Sequence, residues 1–458
     1  MFSSQTYLER RERLKSQFTS GLLLFLGNED SPINFVDNAY PFRQDSSFLY
    51  YFGIDYPGYA ALIDIDENRT VIFGDELTID DIVFTGMLPT VSELAHLAGV
   101  TDSAPLAALE TEPGKSRGRK IRFLPPYRPE HRLKLFRLLG IPPDQQKDQS
   151  SLAFTRAVIE MRIIKSAEEI TEIRRAVDVT VDMHLAAMRM AHPGVKESAI
   201  AAKVTEIALA SEGNLGYPVI ATVHGETLHN HQHNNTLQRG QMFLLDAGAE
   251  TAMHYTGDLT STCPVDSSFT SRQRELYEIV LKAHLTAIDQ LKPGVPFRQI
   301  HLGACRTMAE DLKSLGLMKG DLDAAVEEGA HAMFFQCGLG HVMGLDVHDM
   351  ENLGERWVGY EGRPKSTLFG IKSLRLARPL QPGFVLTVEP GIYFIPELID
   401  RWKAEKKFTD YINYDHLETY RNAGGIRIEE NFLITNQDYQ ILGKARPRTV
   451  QEVEAAKE

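Results

Sequence analysis

Four carboxylates and one imidazole stand out as a set able to do chemistry. They are Asp246 in QMFLLDAG, Asp258 in HYTGDLT, Glu389 in VLTVEPG, Glu429 in GIRIEEN and His341 in GLGHVMG. Each acid ends or interrupts an apolar, β-rich run, the pattern of an inward-facing strand. Acids taken out of water repel one another and lose hydration, so four of them require a cation or shared protons. A turn centred on Ala252 would fold QMFLLDAGAE onto HYTGDLTSTCPV and set Asp246 directly opposite Asp258. The competing reading of these two, as exposed turn acids, is weakened by their apolar neighbours Leu244, Leu245 and Tyr255. Four oxygen donors, one nitrogen and no thiolate form a hard set suited to two divalent ions, with manganese the first expectation and cobalt, iron or zinc as alternatives. Two such ions, about 3.5 to 4 Å apart, draw the pKa of a shared water towards neutrality, making hydroxide the expected nucleophile.

The elements that must position these residues repeat. His192-Pro193-Gly194-Val195 leads into a helical pattern, and so does Lys292-Pro293-Gly294-Val295. Leu237-Gln238-Arg239-Gly240 precedes MFLLDAG, and Leu380-Gln381-Pro382-Gly383 precedes VLTVEPG; in both copies the acid lies six residues after the glycine, 240 to 246 and 383 to 389. This predicts a duplicated helix-and-strand unit whose halves pack about a pseudo-twofold axis and bring both acids to one centre. The first helix of that region is announced by Ser166-Ala-Glu-Glu169, a capping box, and is expected to run to AHPG at 191–194.

Ahead of it, an opening charged helix and the runs GLLLFLG, FLYYFGI, AALIDI and TVIFG, the last two split by DENR, read as strands of an α/β domain. The stretch 112–150 is rich in proline, glycine and polar residues and a long helical pattern follows it, so a boundary is expected near 150. The expected organisation is a smaller α/β domain over 1–155, a catalytic α/β (α+β) domain over 156–446 and a tail over 447–458.

Composition narrows the function classes. With 458 residues, 43% hydrophobic and 24% charged, the chain is that of a globular protein with a large core. A formal net charge of −13 provides no overall field for a phosphate backbone, so nucleic acid is not expected as a partner. Cys263, Cys305 and Cys337 are odd in number, far apart and in no CxxC pair, which argues for a reducing compartment. The N-terminus MFSSQTYLERRERLKSQF lacks the apolar centre of a signal peptide, and the run Leu22 to Leu26 is too short to span a bilayer. A cytoplasmic protein without a membrane partner is expected.

In the order LLDAG, TGDLT, GLGHVMGLDVHD, VLTVEPG and GIRIEEN, the region from about 160 to 440 resembles the pita-bread metallopeptidases, the family of aminopeptidase P, prolidase, methionine aminopeptidase and creatinase. The resemblance implies a pita-bread catalytic domain built around a curved antiparallel sheet. It implies metal ligation by Asp246, Asp258, His341, Glu389 and Glu429, with Asp258 and Glu429 bridging and Glu389 also handling the proton of the attacking water. His229 in TLHNHQH and His348 in DVHD match family positions that contact substrate, where they would donate hydrogen bonds to the scissile carbonyl oxygen as charge develops. Taken alone, either reads first as a satisfied structural histidine. His231 and His233, alternating with His229 as on one strand face, could suggest a separate histidine cluster, a reading weakened because the carboxylates already account for the metal. Arg427 would hold the acids, meet substrate, or form a plain ion pair.

The run YPFRQDSSFLYYFG at 40–53 looks like the N-terminal domain of aminopeptidase P, which implies release of the residue preceding proline at a peptide N-terminus. An Xaa-Pro bond is a tertiary amide without an N–H, so a site that polarises the carbonyl suits it better than one that reads that hydrogen. Prolidase, cleaving Xaa-Pro dipeptides, is the rival. The resemblance also implies a homodimer or homotetramer. Two departures stand out. The hairpin aspartates are 12 apart, 246 to 258, one more than is usual in the family, which an extra tip residue or a bulge absorbs. Cys337 stands four before His341 where a histidine is usual, leaving a weak donor that cannot be cationic at neutral pH and admitting a weakly active or silent peptide-binding relative.

Overall fold

The computed structural model describes residues 1–116 and 118–457, which divide into two compact units, Met1–Arg162 with Met350–Gly354, and Ile163–Asp349 with Glu355–Glu458. The first holds a five-stranded sheet in the order Asp102–Ala104, Arg69–Phe73, Ala60–Asp64, Leu22–Leu26, Ile121–Phe123. The three central strands are antiparallel, and each outer strand runs parallel to its neighbour. Leu22, Leu24, Leu62, Val71 and Phe73 bury one face. On the other, Phe25 meets Tyr51, Phe52 and Phe154 at ring separations of 5.0, 5.3 and 5.0 Å. Burial on both faces explains why LLLFL is a continuous apolar run rather than an alternating one.

Three expectations are corrected here. FLYYFGI is not a strand: Ser46–Phe52 is a helix, capped by the Asp45 carboxylate accepting from the Phe48 amide and closed by Gly53 at φ 65°. All seven of its residues are buried, so no polar face marked the helical period. No boundary falls near 150, because the first unit takes in Ile121–Phe123, paired with Leu22–Leu24, the helix Pro129–Leu139 and the helix Leu152–Arg162. The position 155 falls inside the helix Leu152–Arg162, at whose end the first unit closes.

In the second unit the helix Ala167–Met190 begins at the Ser166–Glu169 capping box, as expected. The duplication is visible in hydrogen bonds. Gly194 donates to the Leu237 carbonyl and Gly294 to the Leu380 carbonyl, both at 2.8 Å, while Leu237 and Leu380 return bonds to Val195 and Val295. Helices Glu197–Ala210 and Phe297–Ser314 follow, and the acid-bearing strands Met242–Ala247 and Val385–Val388 start just after Gly240 and Gly383, both at positive φ. Met242–Ala247 is flanked by Ile220–Thr222 and Leu259–Pro264, and Val385–Val388 pairs with Glu430–Ile434. An antiparallel bridge between Thr260 and Glu429 joins the two halves. The segment expected as a tail instead contains a capped helix, Val450–Ala455, that buries Val450 and Val453.

Candidate metal centre

The hairpin that carries both aspartates is in a different register from the one expected. Asp246 faces Thr260, not Asp258, because the tip extends through His254 at φ 66° and the pairing continues from Ala249 and Glu250 to Gly257 and Thr256. The slip is two residues, and side chains alternate with period two, so Asp246 and Asp258 remain on one face as diagonal neighbours.

Asp246, Asp258, His341, Glu389 and Glu429 line a single cavity of about 300 Å³, together with His229, His348, Cys337 and Arg427. Donor atoms of Asp258, His341 and Glu429 all lie within 4.8 Å of one another. His341 Nε2 is 3.3 Å from Asp258 Oδ2 and 3.6 Å from Glu389 Oε1. Its Nδ1 sits 3.1 Å from the Val342 carbonyl, which can only accept; Nδ1 therefore carries a proton, and Nε2 is the nitrogen that faces the acids. Nε2 is the atom a cation would take.

The backbone around His341 permits no larger residue at Gly340, where a Cβ would come within 2.1 Å of the Thr387 carbonyl oxygen. That approach lets Thr387 donate its amide to the His341 carbonyl at 3.0 Å and Glu389 donate its own to Leu339 at 2.7 Å. Downstream, a buried ion pair of 2.8 Å between Lys165 and Asp349 ties down the loop that ends at His348. The His348 ring meets His341 edge to face, centroids 4.3 Å apart.

Around the acids lies a hydrogen-bonded frame of which sequence reasoning named only Arg427. Tyr217 donates to Asp258 Oδ1 at 2.5 Å, and Asn431 donates to the Asp258 carbonyl while accepting from its amide. Thr260 Oγ1 donates to Glu429 Oε2 at 2.6 Å and accepts from Arg427 Nε at 2.9 Å. Arg427 also pairs with Asp246 and donates to the Tyr393 hydroxyl at 3.0 Å. Tyr217 in LGYPV and Tyr393 in GIYF had no signal beyond an aromatic in an apolar run, because what selects them is a partner distant in sequence, Asp258 for Tyr217 and Arg427 for Tyr393.

Arg427 can neutralise at most one of the four acids, and the imbalance shows in their proton affinities. Burial, then the like charge of Asp246, pushes Asp258 up to about 7. Burial raises Glu389, and burial with the charges of Asp258, Glu389 and Asp246 holds Glu429 well above the carboxylate range. Divalent cations would remove this penalty, and the oxygen-rich donors with one neutral imidazole fit them.

The outer residues differ from expectation in one respect. His229, His231 and His233 lie in an irregular loop, not on a strand face; His229 and His231 line the cavity, whereas His233 Nε2 sits 3.0 Å from the Val219 carbonyl. Partial burial lowers the His229 pKa, favouring the neutral ring. Cys337 lines the cavity, its Sγ 3.8 Å from the Tyr393 hydroxyl, and burial beside Glu389 pushes its thiol up to about 12.

Residues 171–436 match the model of metallopeptidase family M24, and residues 7–120 match that of the aminopeptidase P N-terminal domain. The chain belongs to metallopeptidase family M24. It is 28% identical to human Xaa-Pro dipeptidase over 98% of this chain and 91% of the relative. It is 30% identical to a probable Xaa-Pro aminopeptidase of Aspergillus niger over 95% and 92%. Among solved structures, zinc-substituted Escherichia coli aminopeptidase P in complex with product superimposes with a TM-score of 0.83 at 27% identity, covering 100% of this chain and 98% of that one. The M24 chain therefore has the aminopeptidase P fold, an N-terminal domain followed by a pita-bread catalytic domain, and family membership implies divalent metal ions at its acidic centre.

Proposed function

We propose that this protein is a dinuclear metal-dependent Xaa-Pro aminopeptidase that hydrolyses the bond between an N-terminal residue and a following proline. The observation that carries the reading is the convergence of four acids and His341 Nε2 on one cavity, three of the acids driven up in proton affinity by burial and by one another. Agreement in family and in fold over nearly the whole chain supports it.

Asp246, Asp258, His341, Glu389 and Glu429 would hold the ions, and manganese is the metal we assign. Two divalent ions held there would supply Lewis acidity to a water and to the scissile carbonyl. Glu389, raised in pKa by burial, is suited to take the proton of the attacking water. His229 and His348 donate to the carbonyl oxygen as charge builds on it. Arg427 positions Asp246 and, through Thr260, Glu429, which favours a holding role over a substrate contact.

The unit that closes at Arg162 serves as the aminopeptidase P-like domain and the unit that starts at Ile163 as the catalytic domain. No helix among the described residues is long and apolar enough to cross a membrane, in keeping with the cytoplasmic site of action we assign. A homodimer or homotetramer is supported by the helix Ile79–Thr85, which buries none of its residues and exposes Ile79, Val83 and Phe84 at 71%, 71% and 88%.

The alignment with human Xaa-Pro dipeptidase favours a second reading, prolidase activity. Manganese-loaded protein should cleave an Xaa-Pro-Xaa tripeptide with the higher kcat/KM; preference for the Xaa-Pro dipeptide would replace the first reading with the second.

A further inference from the structure

Away from the acidic cavity, three side chains with metal-ligating atoms meet in the core of the catalytic unit. His301 and Cys305 lie one turn apart on the helix Phe297–Ser314, and His331 lies in the short 3₁₀ turn Ala330–Met333. One donor atom from each falls within 4.8 Å of the others, and Cys305 Sγ is 3.6 Å from His301 Nε2. That separation is about the edge of a tetrahedron with metal–sulfur and metal–nitrogen bonds of about 2.3 and 2.0 Å.

The three are buried, with exposures of 0% for His301 and Cys305 and 3% for His331. A buried imidazole normally satisfies both nitrogens. Here His301 Nδ1 and both His331 nitrogens have no well-directed hydrogen bond, although the Val326 carbonyl is near enough to favour the protonated His331 ring. Burial nevertheless drives both rings far below their ordinary range, to about 3 for His301 and about 4 for His331, so both are neutral with a lone pair to give. Three polar groups left this poorly satisfied would cost a few kcal/mol in a packed core. A cation held by Cys305 Sγ, His301 Nε2 and one nitrogen of His331 would remove the His331 share of that cost.

We propose that Cys305, His301 and His331 form a third, mononuclear metal site, distinct from the acidic centre and selective for a soft cation such as zinc. Its Cys-His₂ donors are softer than the carboxylates, which separates the two sites by ligand chemistry. Loading breaks the Cys305 S–H bond, sends the proton to bulk water and forms the sulfur–metal bond, with no change of oxidation state. The site would pin the helix to the segment beginning at His331, which runs on through Cys337 to His341 at the cavity wall. It would brace the acidic centre without entering it.

Cobalt separates the sites, because a thiolate-to-cobalt charge-transfer band in the near ultraviolet cannot arise from oxygen and imidazole ligands. Metal-free protein, reduced with a phosphine under nitrogen, is titrated with cobalt. The expected result is a band whose saturating intensity corresponds to one thiolate-bound cobalt per chain, which disappears in Cys305→Ser and persists in Cys263→Ser, Cys337→Ser and Asp258→Asn. Absence of the band at any cobalt ratio, or its loss in Cys337→Ser with survival in Cys305→Ser, would overturn the proposal. Should Cys305→Ser fail to fold by circular dichroism, zinc-edge X-ray absorption of the unmodified protein decides: a sulfur neighbour supports the site, and an oxygen-and-nitrogen shell alone refutes it. His331→Gln should weaken zinc at this site by at least about tenfold in competition with a chelating dye.

Discussion

The two halves of the catalytic unit share a backbone plan but not a chemistry. From the PGV triplet to the acid they match bond for bond: Gly194 with Gly294, Leu237 with Leu380, and Asp246 with Glu389 at the end of each strand. On the neighbouring strand Thr222 sits opposite Leu244, two residues before Asp246; in the second half His341 stands opposite Thr387, two before Glu389. The first half thus has a hydroxyl where the second has the nitrogen donor. On the paired helices Ala201 and Thr205 occupy the places of His301 and Cys305. Duplication supplies two acids at a common axis. Everything that distinguishes the metal environments comes from side chains that differ between copies.

If each half contributes one bridging acid, removing either should be equally damaging. Asp258→Asn in the first half and Glu429→Gln in the second should each reduce turnover to below a tenth of the unmodified enzyme while leaving circular dichroism unchanged. An asymmetric result, one variant active and the other dead, would break the equivalence of the halves.

Stripping the metals should expose the cost of holding the acids together. An acid whose folded pKa lies above its unfolded value stabilises the fold only while protonated. With Asp258 raised to about 7 and Glu429 raised well above the ordinary carboxylate range, metal-free protein should lose stability as pH climbs from about 4 through 7. The loss should be a few kcal/mol, read from urea midpoints. Restoring the ions should flatten that slope, and saturating metal at about 100 Kd adds about 2.7 kcal/mol at neutral pH. A metal-free protein with no pH slope over this window would show that the acids are better solvated than their burial implies.

Arg427 ties the halves together, reaching Asp246 of the first from a strand of the second. Arg427→Lys keeps the charge but loses the fork that engages Asp246, Thr260 and Tyr393. It should lower kcat by about 10- to 100-fold, with KM for peptide within about twofold. A rise in KM at constant kcat would make it a substrate contact. The smallest effect is expected at Cys337, where the second half lacks the strong donor usual in the family. Cys337→His should raise turnover several-fold if the pocket needs that donor; unchanged kinetics would mark the position as packing against Tyr393.

Much of the catalytic half was legible because duplication leaves matched spacings, glycine to acid in each copy, that no packing detail can blur. The capping box at Ser166 was legible for the same local reason. The helix Ser46–Phe52 was not, since complete burial erases the polar–apolar period by which helices are recognised. The hairpin register was not either: where a strand pair slips by two, every side chain keeps its face and the sequence pattern is identical.

The sequence by itself determined which residue types would meet, four acids and an imidazole on inward-facing strands, because alternation and repeat spacing are properties of the chain. Only the tertiary structure decided who supports them. Tyr217, Thr260, Arg427 and Asn431 reach the acids across 41, 169, 181 and 173 residues of chain respectively. The His301–Cys305–His331 cluster likewise closes only when a 3₁₀ turn folds back on its helix. Contacts that cross the sheet depend on register and packing, which no local pattern encodes.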